Sequence, residues 1–171
     1  MSGDDRVYLF DSTLRDGAQT HGVNFTVPDK MAIARALDRL GIDYVEGGWP
    51  GANPIDDAIF ASPPMLERAT FTAFGMTRRP GRSVENDPGL AALLDTNVSA
   101  ICIVGKTWDF HVDTALEIER TENIDMIAES IGHIAVRDRE ALFDAEHFFD
   151  GYKSNPIFAL DCLKAAHAAG A

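Results

Sequence analysis

The segment VSAICIVG, residues 98–105, is apolar at nearly every position, and it decides the class of fold. A strand of this kind has both of its faces covered, which is typical of a parallel sheet with helices packed against it. Segments with strand and helix character alternate on both sides of it along the chain, which predicts an α/β fold with crossover helices. The predicted strands are residues 7–11, 42–49, 69–75, 98–105 and 140–147. The predicted helices are residues 26–40, 54–61, 87–96, 111–120, 123–136 and 155–171.

The helix predicted over residues 26–40 has the clearest boundaries. Thr26 is suited to the N-cap, Pro28 to the first turn, and Gly41 to the position that ends the helix. The 3.6-residue period predicts one apolar face toward the sheet. This face comprises Ile33, Ala36, Leu37 and Leu40.

The sequence favours a parallel (β/α) barrel of TIM type over a dinucleotide-binding sheet. The segment RDGAQTHG after the first strand lacks the glycine spacing of a dinucleotide fingerprint. In barrels of this type the chemistry lies at the carboxyl ends of the strands. Polar or charged residues stand at most of these ends, which indicates a functional rim, with ordinary loop polarity as the alternative. The residues at the five ends are Asp11, Arg15, Asp16, Glu46, Gly75, Lys106, Asp144, Glu146 and His147, and only the third end, at Gly75, is neither polar nor charged.

Composition excludes several classes of protein. The net charge of −12 argues against a nucleic-acid partner, and an anionic substrate would need a local positive pocket or a metal ion. No apolar run reaches the roughly 18 residues of a membrane span. Residues 1–10 do not have the pattern of a signal peptide. Cys102 and Cys162 stand in apolar segments, which predicts reduced, buried thiols in a cytoplasmic protein.

Five segments together resemble one family of enzymes. They are DSTLRDGAQ, VEGGWPGANPIDD, IVGKTWDFHV, TENIDMIAESI and FDAEHFFDGYKSNP, and they occur in the expected order between residues 7 and 171. They resemble the 2-isopropylmalate, homocitrate and citramalate synthases, which are metal-dependent β/α-barrel acyltransferases, and most closely the citramalate synthases. The resemblance implies a Claisen-type condensation of acetyl-CoA with a 2-oxo acid, most simply pyruvate, on a route to isoleucine. It also implies a divalent metal ion (Mg, Mn or Zn), a cytoplasmic location and a homodimer at full length.

The resemblance also implies roles for single residues. Arg15 matches the catalytic arginine and Asp16 the metal-binding aspartate, and a tight turn at Gly17 would direct both into the barrel mouth. Glu146 is the candidate for proton transfer or for positioning a water molecule. The candidates for substrate binding are Gln19, Glu46 and Asp144. For Gln19 a turn cap is the alternative, and for Glu46 a structural ion pair.

Neighbouring residues carry weaker expectations. Asp144 and Glu146 share one strand face, whereas His147 points to the other face and is expected to be structural. His21 follows the first motif and is a candidate for lining the mouth, whereas His111, His133 and His167 are expected to be surface or packing residues. The segment Lys106-Thr107-Trp108 is suited either to contact the phosphates of the acyl-CoA or to cap a helix.

The length departs from the family pattern. A complete barrel has eight units in roughly 250 residues, whereas about the first five βα units of eight are present here. Residues 1–171 are therefore expected to be the N-terminal portion of a catalytic barrel domain, and the histidine pair that completes the family's metal site does not occur in the sequence. The alternatives are 2-isopropylmalate synthase, homocitrate synthase or lyase activity, or a non-catalytic half-barrel that acts as an assembly module. By itself the chain is expected to be inactive, with its first and last strands as open edges.

Overall fold

The computed structural model describes residues 6–171, and its centre is a sheet of five parallel strands in the order β1-β2-β3-β4-β5. The strands are β1 (Phe10–Asp11), β2 (Tyr44–Gly48), β3 (Thr70–Met76), β4 (Ala100–Lys106) and β5 (Glu140–Glu146). Each strand pairs in parallel with its neighbour in sequence, and together they form a curled half-barrel of TIM type. The predicted class of fold is confirmed. The expectation that residues 1–5 belong to the domain lies outside the described residues.

Crossover helices connect the strands, as predicted. They are α1 (Val27–Leu40), α2 (Pro54–Ala61), α3 (Pro88–Leu94), α4 (Asp109–His111) and α5 (Arg120–Ala135). Two further helices, α6 (Phe148–Ser154) and α7 (Pro156–Ala168), follow β5. A π-helical turn, Val112–Leu116, continues α4 and ends at Glu117, whose φ of 53° is left-handed. The helix predicted over residues 111–120 is therefore displaced, because the left-handed Glu117 ends it before α5 begins at Arg120. Helix α6 was not predicted.

The first strand is shorter than residues 7–11. Only Phe10 and Asp11 pair with β2, and before them the carbonyl of Leu9 accepts the N–H groups of Asp43 and Tyr44. The side chain of Val7 is 80% exposed, because β1 is an edge of the sheet and no element covers this part of it. Strand β5 forms the opposite edge, so both predicted open edges are present.

Helix α1 has the predicted ends but a different inner face. Thr26 and Asp29 form a reciprocal capping box, and Gly41 ends the helix with a φ of 94°. Leu40, expected inside, is 75% exposed, and Ala36 is also exposed. The residues buried on this helix are Lys30, Ala34 and Asp38. The predicted face is thus right for Ile33 and Leu37, which pack against the core, and wrong for Ala36 and Leu40. The difference arises because two polar side chains with partners elsewhere in the fold take up part of the inner face.

The two faces of the sheet differ in chemistry because side chains alternate along each strand. The outer face packs against the helices and carries the apolar core, which includes Val45, Phe71, Ala73, Ile101, Ile103 and Ala141. The concave face borders a cavity of about 560 Å³ that is lined by aromatic and charged side chains, among them Tyr44, Glu46 and Asp144. The outer face therefore packs the sheet against the helices, whereas the concave face presents polar and charged side chains to the cavity.

Both cysteines lie in the interior as predicted. Cys102 and Cys162 are buried free thiols. Burial raises the pKa of the Cys162 thiol to about 12, and it raises the pKa of Cys102 further. Within residues 6–171 no helix is both long and apolar enough to cross a membrane.

Asp38 provides a test of how α1 is fastened to the sheet. Its carboxylate accepts the backbone N–H groups of Glu67, Arg68 and Ala69 at 2.8–2.9 Å, just before β3. Asp38→Ala would leave these donors without their acceptor, and we expect the Tm to fall by roughly 5–10 °C. The matched control Asp161→Ala removes an exposed carboxylate on α7 and should change the Tm by much less.

The pH dependence of this effect has a defined sign. Hydrogen bonds from Ala69 and Glu67 lower the pKa of Asp38, so their stabilisation is present above about pH 4 and lost as the pH falls through the lowered pKa. The difference in Tm between wild type and Asp38→Ala should therefore shrink in acid. A thermal melt with the same difference at every pH would contradict this role for Asp38.

Candidate functional site

The turn after β1 places the first motif at the concave face. The carbonyl of Ser12 accepts three consecutive backbone N–H groups, those of Arg15, Asp16 and Gly17, at 2.9–3.1 Å. This folds the chain sharply and brings Arg15 and Asp16 to the cavity beside β2. The turn does not need the special freedom of glycine, because an added Cβ at Gly17 would meet only ordinary contacts at 3.6 Å or more. The three hydrogen bonds to the Ser12 carbonyl stabilise the turn.

The guanidinium of Arg15 is held from two directions. Its Nε donates to Oε2 of Glu46 at 2.8 Å, and its Cζ lies 3.8 Å from the centroid of the Phe74 ring. A weaker contact of 3.3 Å joins Nη1 to Oδ1 of Asp16. The Arg15 side chain is only 18% exposed, so it is a fixed cation whose remaining N–H groups are available to the cavity.

Phe74 was missed by the sequence analysis, which chose Gly75 as the end of the third strand. Phe74 is 6% exposed, and its ring meets Trp49 edge to face at a centroid distance of 5.6 Å. Gly75 instead faces the helices, since an added Cβ there would lie 2.3 Å from Leu93. The sequence signal that could have indicated Phe74 is its position: it is an aromatic residue one place before the predicted strand end, and the alternation of side chains puts it on the opposite face from Gly75.

Glu46 is the most deeply buried charged group of the site. Its side chain is 0% exposed, and its Oε1 has no hydrogen-bond partner among the described residues. Burial raises the pKa of Glu46, whereas the hydrogen bond and charge of Arg15 lower it. The structural ion pair considered from sequence is thus present, and it holds the candidate catalytic arginine.

The two acids of β5 occupy different surroundings. Asp144 lines the same cavity as Arg15 and Glu46, and burial raises the pKa of its carboxyl. Glu146 lies farther along the strand, 33% exposed, and its carboxylate forms an ion pair with Nζ of Lys106. Gln19 is exposed and lines a second cavity of about 280 Å³ that also includes Arg15. The structure therefore gathers Arg15, Asp16, Glu46 and Asp144, with Gln19 and Glu146 beside them.

The structure places the candidate metal ligand Asp16 at the cavity. Asp16 is 63% exposed at the cavity and offers one carboxylate, the type of ligand that a hard divalent cation prefers. Over residues 6–171 there is no group of three or more His, Cys, Asp or Glu side chains placed to hold a metal ion. The described residues fit one ligand of such an ion and not a complete coordination sphere.

The side chains of Lys106 and Thr107, at the end of β4, contact the end of β5. The hydroxyl of Thr107 donates to the carbonyl of Glu146 at 2.7 Å, and Lys106 is paired with the Glu146 carboxylate. Trp108 precedes α4 but makes no side-chain capping bond. His147 precedes α6 with a left-handed φ of 53°, and its ring lies edge-on to His111 at a centroid distance of 4.8 Å. These contacts tie the ends of β4 and β5 together.

Comparison with known proteins identifies relatives over almost the whole chain. The HMGL-like family model matches residues 6–171. The chain is 48% identical over 169 residues to (R)-citramalate synthase of Aquifex aeolicus, covering 98% of this chain and 32% of that protein. It is 46% identical to (R)-citramalate synthase of Streptomyces coelicolor, again covering 98% and 32%, and 33% identical to 2-isopropylmalate synthase of Solidesulfovibrio magneticus, covering 100% and 32%. The chain spans about a third of the length of these curated relatives.

Solved structures support the fold. Hydroxymethylglutaryl-CoA lyase from Pseudomonas aeruginosa superposes with a TM-score of 0.72 at 15% identity, covering 96% of this chain and 55% of that one. The HMG-CoA lyase of Bacillus subtilis gives 0.68 at 17% identity, covering 95% and 55%. At such low identity the likeness concerns the fold alone.

Glu46→Gln tests the electrostatics of the site. A raised pKa means that the folded state keeps its proton to a higher pH, so the Glu46 carboxyl lowers the free energy of unfolding as the pH rises from about 4.3 through the raised pKa. Glutamine has no such titration. We therefore expect the stability of wild type relative to Glu46→Gln, measured by urea unfolding, to fall over this range. Glu67→Gln, at an exposed position, is the control, and a constant difference for Glu46→Gln would contradict the expectation.

Proposed function

The chain belongs to the HMGL-like family, and on this basis we propose that the complete protein is an acyltransferase that condenses acetyl-CoA with a small 2-oxo acid. The observation that carries the proposal is the 48% and 46% identity to two (R)-citramalate synthases. With pyruvate the product is citramalate, which serves isoleucine synthesis. The acetyl methyl group loses a proton, its carbon bonds to the ketone carbon, and water then cleaves the thioester to release CoA.

Arg15 is the proposed catalytic residue of this chain. Both the enolate of acetyl-CoA and the alkoxide of the product carry negative charge on oxygen, which fixed N–H donors stabilise. The ion pair with Glu46 and the stacking on Phe74 hold the guanidinium in one place, so that little reorganisation is needed when the charge develops. Glu46 and Phe74 therefore act as positioning residues for Arg15.

The acids of β5 have separate proposed roles. Glu146 is the proposed residue for proton transfer or for orienting the hydrolytic water, with Lys106 holding its carboxylate at the rim. Asp144 contacts the cavity of Arg15 and is a proposed specificity residue for the oxo acid. Gln19 and Glu46 are proposed to contribute to substrate binding from the turn after β1 and from β2.

A divalent cation (Mg, Mn or Zn) belongs to the proposed function. When bound, such an ion would act as a Lewis acid on the ketone of a 2-oxo acid, whose oxygens are ligands that a hard divalent cation accepts. Asp16 is the proposed ligand from this part of the chain, and its exposed position beside Arg15 supports this. We further propose that residues 1–171 form the N-terminal portion of the barrel domain, in a cytoplasmic enzyme that is a homodimer at full length.

Two substitutions test the roles of the first motif. Arg15→Lys keeps the charge but loses the fork held by Glu46, so we expect turnover by the complete protein to fall about 100-fold or more while the circular dichroism spectrum of the native fold is retained. Asp16→Ala should weaken the binding of Mn²⁺, measured by titration calorimetry. Release of CoA from acetyl-CoA and pyruvate is the readout, and the 171-residue chain assayed alone should release none. Wild-type rates in both variants would refute the assignment.

The oxo-acid preference is a second test. Arg15 is the only cation among the described residues that line the larger cavity, whose walls include Tyr8, Phe10 and Leu142. A substrate with a second carboxylate would lack a partner there. We expect kcat/KM to favour pyruvate over 2-oxoglutarate by at least about tenfold. Preference for 2-oxoglutarate would overturn the proposal, and preference for 2-oxoisovalerate would favour 2-isopropylmalate synthesis, the activity named for relatives at 33% identity.

A further inference from the structure

The loop that follows β3 concentrates positive charge in an acidic chain. The segment TRRPGR, residues 77–82 and here called the arginine loop, holds three arginines. The whole chain has 15 lysines and arginines against 27 acids, so this is an exceptional local density of cations. The loop lies at the carboxyl end of β3, on the same rim as Arg15.

The arginine loop is anchored near its N-terminal end. Arg78 is 5% exposed and uses its guanidinium on two acids of α5, Glu129 and Glu122, the latter at 2.7 Å. Its backbone N–H donates to the hydroxyl of Ser130 at 2.8 Å. The next N–H, that of Arg79, donates to the carboxylate of Asp87 at 2.8 Å. Arg78 is thus a structural anchor, and the backbone that carries Arg79 is fixed.

Arg79 and Arg82 are the cations of this loop that remain available. Both are exposed, and neither has an ion pair within the described part of the chain. Arg82 makes one contact of 3.3 Å, from Nη1 to the carbonyl of Asn86. Lys106, on the neighbouring strand end, is instead neutralised by Glu146. Lys106, a sequence candidate for phosphate binding, therefore already has its charge paired.

A cavity adjoins this loop and extends to Trp49. It measures about 250 Å³, and its walls include Trp49, Met76, Pro80, Val104 and Met126, with Arg79 at its boundary. Trp49 also packs against Phe74, the ring on which Arg15 is stacked. This volume is below the roughly 300–1,000 Å³ of pockets that enclose a drug-sized ligand. It suits a slender apolar arm rather than a whole coenzyme.

We propose that Arg79 and Arg82 bind the phosphate groups of the acyl-CoA substrate while its thioester arm enters the adjoining cavity toward Arg15. The inference rests on the proposed function, in which acetyl-CoA is the acyl donor. One guanidinium group can donate two parallel N–H bonds to the oxygens of a phosphate, and it stays positively charged at every pH at which the protein is folded. In a chain of net charge −12, local cations of this kind are also needed to attract an anionic cofactor to the rim.

The test compares the double variant Arg79→Gln/Arg82→Gln with wild type in the complete protein. CoA binding is measured by titration calorimetry, and KM is measured with acetyl-CoA and with acetyl-pantetheine, which has no phosphate. We expect Kd for CoA and KM for acetyl-CoA to rise about tenfold or more, with kcat and the KM for acetyl-pantetheine unchanged. The effect should shrink at high ionic strength.

The matched control is Arg35→Gln/Arg39→Gln, which removes the same charge from exposed positions on α1 and should change the CoA affinity less than twofold. Equal losses in both double variants would overturn the inference in favour of a general charge effect, and unchanged CoA affinity in the loop variant would also overturn it. CoA binding that depends on the loop, without turnover of any 2-oxo acid by wild type, would support the inference and overturn the proposed function. No binding of CoA by wild type would overturn both.

Discussion

The buried pair of Arg15 and Glu46 is the interaction on which the rest of the site depends. A carboxylate with no exposed surface is costly unless a cation compensates it, and Arg15 is the cation that does so, at 2.8 Å. The pair joins the turn after β1 to the middle of β2, and therefore connects the short edge strand to the sheet. It also fixes the guanidinium over Phe74, which sets where negative charge can be stabilised at the barrel mouth.

A second buried ion pair, between Lys30 and Asp56, positions the aromatic side chain that packs against Phe74. Lys30 of α1 pairs with Asp56 of α2 and donates to the carbonyl of Gly47 at 2.9 Å. The Asp56 carboxylate also accepts the backbone N–H of Trp49 at 2.9 Å, which places the indole against Phe74. Gly48 is required here, because its φ is 151° and an added Cβ would lie 2.6 Å from the Asp56 carboxylate. The segment after β2 thus carries the aromatic support of Arg15 through backbone geometry.

The sequence predicted the strands well wherever they are buried on both faces. Strand β4 and the boundaries of α2 follow from apolar runs and helix caps, which are local signals. It predicted β1 less well than β5, the other edge strand, because before Phe10 the backbone bonds to its neighbour only through Leu9 and forms no continuous ladder. The inner face of α1 was misjudged in part, since the partner that buries Asp38 is the backbone before β3, far away in sequence.

By itself the sequence determined that this is a parallel α/β chain of barrel type, and it placed Arg15 and Asp16 directly after β1 and Glu46 and Asp144 on β2 and β5. Both results follow from short-range patterns, namely the period of apolar residues and the residue types at each strand end. Only the tertiary structure decided which of these residues meet. It paired Glu46 with Arg15, set Phe74 beneath the guanidinium, and assigned Lys106 to Glu146 rather than to a ligand. Such choices depend on the curl of the sheet and on burial, which bring together side chains that are distant along the chain.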